Sequence, residues 1–346
     1  MPELRQDPVT RRWVVIATER AKRPSSFTRA AKVAVQPSSQ CPFCEGRESM
    51  TPPEVMAYRA PGTAPDTPGW EVRVVPNLYP AFGPASGSLD PVTVGPYRRM
   101  NGLGVHEVII NGPDHEHDLG QLPVAKVAQI VQAYTDRIRA HRTNPLLQYV
   151  LVIVNHGKEA GASLEHPHAQ LFGIPLVPPT VEEEVAGLAR YRAEHGECAY
   201  CAILAYEREV GERVVYENEG FVVLSPYAAR TPFETWILPK EHQPNFEDLD
   251  ERQRWLFAEA LQTLTSRLYY GLNDPPFNFY IHTRPTQSPA DYHWHLELLP
   301  KLAIAAGFEL GTGIMINTVL PEAAAEFLRS VQPGETVSVE APPLHR

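Results

Sequence analysis

The stretch His166-Pro167-His168-Ala169-Gln170 lies near the middle of the chain, directly downstream of the apolar run at residues 149–154. On an extended backbone its two histidines lie on the same side of the strand, about 6–7 Å apart, because side chains alternate between faces. They can therefore share one pocket without sharing one atom. Neutral imidazole is both a metal ligand and a nucleophile near pH 7, so we expect one histidine to bind a metal and the other to attack an electrophile. The alternative is a histidine pair at a strand end that has no chemical role.

The composition argues against several classes of protein. The chain has 346 residues, of which 43% are hydrophobic, and this is enough for a sizeable core. Its formal net charge of −10 argues against a general nucleic-acid-binding protein, because phosphate contacts need clustered basic side chains. No apolar run approaches the length of a membrane span, and the first residues do not lead into a signal-peptide core. We therefore expect a cytoplasmic protein with neither nucleic acid nor membrane as a partner.

The second half of the chain repeats the first. Four positions recur 127 residues later: His106 as Phe233, His115 as His242, His166 as His293 and His168 as His295. Each half also has apolar residues at helical spacing, the first set lying between residues 123 and 141. We infer two copies of one unit, at residues 1–178 and 179–346. The predicted fold class is α+β, in which each copy is a mostly antiparallel sheet with a helix packed against one face, and residues 321–331 form one more helix.

The cysteines indicate zinc rather than disulfides. All four belong to C-x-x-C pairs, one pair in each half, whereas a disulfide scaffold of this length rarely uses only close pairs. Each half adds a histidine from a loop and the first histidine of its His-x-His, and 51 residues separate these two histidines in both halves. We expect two structural zinc ions per chain, each with four protein ligands. The ligand sets are Cys41, Cys44, His115 and His166 for the first ion, and Cys198, Cys201, His242 and His293 for the second. His117 is a rival to His115, and reduced thiols beside hydrogen-bonded histidines are the alternative to metal binding.

The central stretch, together with Asn155 and Ser163 before it, resembles the active-site signature of the galactose-1-phosphate uridylyltransferases, a branch of the histidine-triad superfamily. The resemblance spans nearly the whole chain and includes residues 7–10, 20–24, 75–80 and 307–309. It implies two tandem histidine-triad-like repeats. Hydrolases of that superfamily have a third histidine where this chain has Gln170, so the glutamine points to the transferase branch.

The resemblance implies a two-step exchange of UMP between UDP-glucose and galactose 1-phosphate, and with it a role in galactose metabolism. His168 would attack the α-phosphorus of the UDP-sugar, form a covalent uridylyl-histidine and release a sugar 1-phosphate, and a second sugar 1-phosphate would then take the nucleotide. Gln170 would donate its amide to a phosphoryl oxygen. By similarity, substrate-binding roles fall on Arg20, Arg23, Asn77, Asn155, Ser163 and Glu309. Arg20 and Arg23 match positions that reach the nucleotide from a partner subunit, so the resemblance also implies a homodimer.

Residues near the C-terminus leave the substrate open. The better-known members have a lysine shortly before the triplet Gly307-Phe308-Glu309, and residues 302–306 contain none. Residues 307–313 instead resemble a second branch that includes ADP-glucose phosphorylase, in which phosphate accepts AMP from the same histidine. That activity is the first alternative; a non-enzymatic zinc-stabilised nucleotide-binding protein and a nucleotide hydrolase are the others. We expect no second active site around His295, because Glu297 replaces Gln170 there and a carboxylate repels phosphate.

Overall fold

The computed structural model describes residues 2–19, 40–84, 88–288 and 291–332. Arg20 and Arg23, to which the resemblance gives substrate-binding roles, lie outside the described residues. The strands are β1 (Glu3–Gln6), β2 (Trp13–Ile16), β3 (Met56–Arg59), β4 (Trp70–Pro76), β5 (Val92–Val94), β6 (Tyr97–Arg99), β7 (Val105–Ile110), β8 (Tyr149–His156), β9 (His168–Ile174), β10 (Val214–Glu217), β11 (Phe221–Leu224), β12 (Thr235–Pro239), β13 (Phe277–His282), β14 (His295–Pro300) and β15 (Met315–Asn317). The helices are α1 (Val124–Arg142), α2 (Pro179–His195), α3 (Ala199–Val210), α4 (Glu251–Gly271), α5 (Gly307–Thr312) and α6 (Pro321–Ser330).

Both halves of the chain build one continuous sheet of ten strands, in the order β10-β11-β12-β14-β13-β8-β9-β7-β4-β3. Each half supplies five strands with the same internal order, and every neighbouring pair runs antiparallel. The halves join where β8 pairs with β13, and Asn155 stands opposite Asn278 in that pair. These two strands correspond to each other in the repeat. Each would be an open edge of its own half, so pairing them satisfies two rows of backbone hydrogen-bonding groups.

Helices α1 and α4 cover the same face of the sheet and pack against each other. Their buried residues recur at helical spacing, as the sequence predicted, and the first helix is confirmed to within a residue at each end. Asp250 begins α4 because its carboxylate accepts a hydrogen bond from the backbone nitrogen of Gln253, whose side chain bonds back to Asp250. Full burial of a leucine such as Leu264 contributes about 1.5–3 kcal/mol to folding. The α+β fold predicted from the sequence is confirmed.

The two ends of the described chain are tied together outside the large sheet. Strand β2 pairs antiparallel with β1 and parallel with β15, so an N-terminal segment and a C-terminal segment share one small sheet. The last helix, α6, follows β15 and ends one residue before the predicted limit. Within the described ranges, no helix combines the length and the apolar character that crossing a membrane requires.

Candidate active site

His168 is the first residue of β9, a central strand that lies between β8 and β7. Its Nδ1 lies 2.8 Å from the backbone oxygen of His166. A carbonyl oxygen only accepts, so Nδ1 carries the proton and donates it, which leaves the lone pair on Nε2. Burial lowers the pKa of His168, because only 8% of the residue is exposed, and the ring therefore stays neutral. The arrangement gives Nε2 the free lone pair, the neutral charge and the fixed orientation that a nucleophile requires.

Cys41, Cys44, His115 and His166 converge beside this histidine, and their ligand atoms lie within 4.8 Å of one another. The Sγ atom of Cys44 is 3.3 Å from Nδ1 of His115 and 3.6 Å from Nδ1 of His166. In tetrahedral zinc coordination a sulfur and a nitrogen ligand lie about 3.6 Å apart, so the donor set and its spacing fit zinc. Nε2 of His166 lies 2.8 Å from the backbone oxygen of Gly112, which holds the ring with Nδ1 facing the cysteines.

The rival histidine, His117, is not a member of this group. Its side chain is half exposed, and its Nδ1 lies 2.8 Å from a carboxylate oxygen of Asp114.

Phe43, which lies between Cys41 and Cys44 in the C-x-x-C turn, connects the first group of candidate metal ligands with His168. The ring of Phe43 meets the ring of His168 edge-on, with centroids 5.2 Å apart. The loop of Cys41 and Cys44 is therefore in direct contact with the ring of His168.

The second repeat reproduces the metal group with Cys198, Cys201, His242 and His293, again within 4.8 Å of one another. Nδ1 of His242 and of His293 lie 3.5 Å and 3.6 Å from Sγ of Cys201. Nε2 of His293 lies 3.0 Å from the backbone oxygen of Pro239, as the His166 ring does from Gly112. Both groups have the ligands that zinc prefers. In each group four protein atoms would complete the tetrahedral coordination, so no position would remain for a water molecule.

Gln170 and Asn155 flank the nucleophile, one on its own strand and one on the neighbouring strand. Gln170 is two residues beyond His168, so both side chains lie on the same face of β9. Val154 pairs with Ala169, which places Asn155 beside His168 at the end of the β8–β9 ladder. The Oε1 atom of Gln170 lies 2.8 Å from Nε2 of His106. The Oδ1 atom of Asn155 lies 2.7 Å from Nδ2 of Asn278.

The sequence predicted no role at this site for His106 and Asn278, the partners of those two amides. His106 served only to align the two repeats. A signal for a role of His106 was its position on β7, where it shares one face with Val108 and Ile110. Strand β7 pairs with β9, which carries His168. Finding it required the strand register as well as the sequence.

The remaining residues predicted to bind substrate lie at different distances from the nucleophile. Asn77 follows β4, and its Nδ2 lies 3.1 Å from Nε2 of His106, so it belongs to the same cluster. Ser163 is exposed on the turn between β8 and β9. Glu309 lies on α5, where its carboxylate accepts a hydrogen bond from the backbone nitrogen of Ala306. No hydrogen bond in the described ranges joins Glu309 to the residues around His168.

The corresponding position of the second repeat is closed. His295 keeps the bond from Nδ1 to a backbone oxygen, here 3.2 Å from that of His293, but it is fully buried. Its Nε2 faces the hydroxyl group of Tyr200 at 3.3 Å. Glu297 accepts hydrogen bonds from Tyr280 and Arg230. Ligand-type atoms of Glu184 and His282 lie within 4.8 Å of those of His295 and Glu297, in a fully buried group. The second repeat therefore offers no accessible imidazole at the position that corresponds to His168.

Comparison with known proteins identifies the family. Residues 1–178 match the model for the N-terminal domain of galactose-1-phosphate uridyl transferase, and residues 184–337 match the model for its C-terminal domain. The chain belongs to this family. It is 39% identical to the ADP-glucose phosphorylase of Arabidopsis thaliana, over 95% of this chain and 93% of that protein. It is 31% identical to the galactose-1-phosphate uridylyltransferase of Thermotoga maritima, over 96% of this chain and 99% of that protein. The crystal structure of the Arabidopsis thaliana ADP-glucose phosphorylase with bound ADP-glucose has a TM-score of 0.80 and 35% identity, and covers 96% of this chain and 100% of that chain.

Within the galactose-1-phosphate uridyl transferase family, these findings overturn the main function predicted from the sequence, which was UMP exchange between UDP-glucose and galactose 1-phosphate. The phosphorylase exceeds the uridylyltransferase of Thermotoga maritima in identity, at 39% against 31%. The error has a physical cause. The roles predicted for His168, Gln170 and the metal ligands concern phosphoryl transfer and folding, so they do not distinguish one nucleotide sugar from another. The motifs on which the prediction depended therefore carry no information about the base or the sugar.

Proposed function

We propose that this protein is a nucleotidyltransferase that moves AMP from ADP-glucose to inorganic phosphate through a covalent intermediate on His168. The orientation of the His168 ring carries the proposal, because a bonded Nδ1–H leaves Nε2 as the nucleophile. The similarity to the ADP-glucose phosphorylase over 95% of the chain supports adenine as the base and phosphate as the acceptor.

The proposed reaction has two displacements at the same phosphorus. In the first, Nε2 of His168 forms a bond to the α-phosphorus while the bond to the bridging oxygen breaks, and glucose 1-phosphate leaves. In the second, an oxygen of inorganic phosphate attacks the α-phosphorus, the nitrogen–phosphorus bond breaks, and ADP leaves. The ring carries a positive charge while it holds the nucleotide. The hydrogen bond from Nδ1–H to the oxygen of His166 becomes stronger in that state, because the donor is then cationic.

The neighbouring polar groups have the roles that phosphoryl transfer requires. Gln170 and Asn155 would donate amide hydrogens to the oxygens of the α-phosphate, and Ser163 would add a hydroxyl donor from its turn. Neutral donors suit this task because they stabilise the developing charge without holding the anionic product tightly. We assign Asn77 to the nucleoside, and Glu309 to a hydroxyl group of the sugar.

We further propose that each chain holds two zinc ions, one in each repeat. When bound, the ions would serve as fully ligated structural centres that link loops to the sheet. The first group would fix the turn that carries Phe43 and the approach to His166, and so the position of His168. The second would perform the same structural task in residues 179–346, the half that we treat as the non-catalytic repeat.

We propose that the active form is a homodimer, in which Arg20 and Arg23 reach the nucleotide of the partner subunit. Exposed apolar side chains between β14 and β15 support an interface with a second copy, since Ile304 is 94% and Leu310 is 78% exposed. Mixing His168→Ala chains with Arg20→Ala chains tests this arrangement. If each site combines residues of both chains, the mixture recovers activity. If each site is complete within one chain, the mixture stays inactive.

Intact-protein mass after incubation with ADP-glucose, and separately with UDP-glucose, tests the proposed function. We expect a gain of one adenylyl group from ADP-glucose in the wild type and none in His168→Ala. The control is His195→Ala, which removes an exposed histidine from the end of α2 and keeps the adduct. Labelling by UDP-glucose alone contradicts the adenine assignment. Equal phosphorolysis of ADP-glucose by the wild type and His168→Ala contradicts the covalent step.

A further inference from the structure

We propose that His106 and Asn278 are positioning residues, which hold the side-chain amides of Gln170 and Asn155 with their NH₂ groups toward the reacting phosphate. The inference rests on the proposed function, because it concerns how the donors of that site are held. A side-chain amide has a donor end and an acceptor end of nearly the same size. Turned the wrong way, it presents a carbonyl oxygen to the anionic phosphate and repels it. A neutral donor is therefore effective only if something fixes its orientation.

His106 fixes Gln170 through its tautomer. The backbone nitrogen of Ala81 donates to Nδ1 of His106 at 3.1 Å, so Nδ1 is the acceptor nitrogen of the neutral ring. Nε2 then carries the proton and donates it to Oε1 of Gln170 at 2.8 Å. The NH₂ group of Asn77 lies 3.1 Å from the same nitrogen and is therefore not hydrogen-bonded to it in this tautomer. The ring itself is held by stacking on Phe172, with centroids 4.0 Å apart. The oxygen end of the Gln170 amide is thus occupied.

The strand register decides which way the free end of Gln170 points. His106 stands opposite Phe172 in the β7–β9 pair, whereas His168 stands opposite Ile110. His106 therefore lies on the side of Gln170 that is away from His168. Since Oε1 is turned toward His106, the NH₂ group is left on the side of the nucleophile. Among the described residues, no group accepts a hydrogen bond from it.

Asn278, which belongs to the second repeat, fixes the orientation of the Asn155 side-chain amide in the same way. Its Nδ2 lies 2.8 Å from the backbone oxygen of Ala160, and because a carbonyl only accepts, that atom is the nitrogen. The other hydrogen of the same NH₂ group is donated to Oδ1 of Asn155 at 2.7 Å. The NH₂ group of Asn155 then faces the turn at Gly161, where a Cβ atom would lie 3.9 Å from it. No described residue accepts a hydrogen bond from it either.

The repeat shows that both positions tolerate residues without this function. Phe233 stands where His106 stands in the first repeat, and Leu151 corresponds to Asn278. Neither side chain can donate a hydrogen bond, and His295, which corresponds to His168 in the repeat that contains Phe233, is fully buried. His106→Phe keeps a ring that can stack on Phe172, so it removes the hydrogen bond with little change in packing.

The rate of His168 adenylylation by ADP-glucose, measured by intact mass in single turnover, tests the inference. We expect His106→Phe to lower this rate about 10–100-fold, while metal content and melting temperature stay at their wild-type values. In a Gln170→Ala background the same change is expected to cost nothing further, because the amide to be oriented is gone. Independent losses that multiply in the double variant overturn the positioning role of His106.

Asn278 allows a test that separates orientation from packing. Asn278→Asp keeps the shape of the side chain but can only accept, so it turns the NH₂ group of Asn155 toward itself and away from the phosphate. Asn278→Ala leaves Asn155 free to adopt either orientation. We therefore expect the aspartate variant to be slower than the alanine variant, whereas a purely structural role predicts the reverse. The control is Asn218→Asp, which removes donated bonds of the same kind near β11, far from His168.

A third measurement is independent of turnover. Ring ¹³C and ¹⁵N chemical shifts of His106, assigned by comparison with His106→Phe, report which nitrogen carries the proton. The Nε2–H tautomer is expected at neutral pH, and an Nδ1–H tautomer overturns the inference whatever the activity. If no nucleotide sugar labels the wild type, the proposed function fails, and this tautomer still decides how Gln170 is oriented.

Discussion

His156 joins the two repeats through two carboxylates, and we expect it to make the stability of the protein depend on pH. Its Nδ1 lies 2.7 Å from Asp118 in the first repeat, and its Nε2 lies 2.6 Å from Asp274 in the second. Burial acts to lower the pKa of His156, but the hydrogen bonds and charges of the two aspartates outweigh it and raise the pKa to about 10. The folded protein therefore holds this ring as a cation at neutral pH, whereas the unfolded chain does not above its ordinary pKa of 6.5.

The size of the effect follows from that difference. A pKa raised from 6.5 to about 10 corresponds to about 5 kcal/mol as an upper limit. The side chains of His156, Asp118 and Asp274 are 21%, 14% and 20% exposed, so solvent screening reduces this to about 2–3 kcal/mol. Because the folded pKa is raised, the contribution is complete below pH 6.5 and is lost as the pH rises toward 10. With an unfolding entropy of about 0.7 kcal/mol/K for a chain of this length, the ion pairs contribute about 3–4 °C to the melting temperature.

The assay compares the melting temperatures of the wild type and His156→Gln from about pH 6 to about pH 10.5. We expect a difference of about 3–4 °C at the acidic end that shrinks steadily with rising pH. A small pH-independent remainder comes from the lost stacking of the ring on Phe277, whose centroid is 4.7 Å away. The control is His117→Gln, since the pair of His117 with Asp114 is about half exposed and contributes little. A difference that stays constant across the pH range refutes the reasoning.

Three further predictions concern the metal groups and the core. Cys41→Ser is expected to release one zinc ion of two and to lower the melting temperature, as measured by metal analysis and thermal scanning; unchanged values contradict the ligand assignment. His293→Ala is expected to lower stability more than the rate of adduct formation per folded molecule, and a fully folded, metal-loaded but inactive variant contradicts the structural role of the second repeat. Leu264→Ala is expected to cost about 2–5 kcal/mol, or about 3–7 °C, and a shift below 1 °C contradicts the packing described for α4.

The sequence was sufficient for the repeat and its longest helices because periodicity is local information. Apolar residues at helical spacing predicted α1 closely. The prediction omitted α2 and α3, although Pro179 at the start of α2 and Gly196 after its end, with φ of +81°, are regular helix signals. The joining of both halves into one sheet was not predictable, since the pattern within β8 does not reveal whether β13 or solvent lies beside it.

The residues of the candidate site also fall into two classes, those that local sequence patterns predicted and those that they did not. The metal groups were predicted because cysteine and histidine spacing indicates zinc directly, and the structure brings all eight residues together as two groups. His106 and Asn278 were not predicted because they act through other side chains, across strands that are distant in sequence. Identifying such residues requires the register between strands and the hydrogen-bond direction of each ring and amide.

The pairing of β8 with β13 has an evolutionary consequence. If the ancestor was a single unit that paired with its own copy along this edge, two-fold symmetry forced every substitution to occur in both copies at once. A single chain that encodes both units is free of that constraint. Its two halves can differ at equivalent positions, as they do with Gln170 against Glu297 and His106 against Phe233, and one half can supply Asn278 to the other across the shared edge. The different residues at equivalent positions of the two halves are thus a consequence of the covalent link between them.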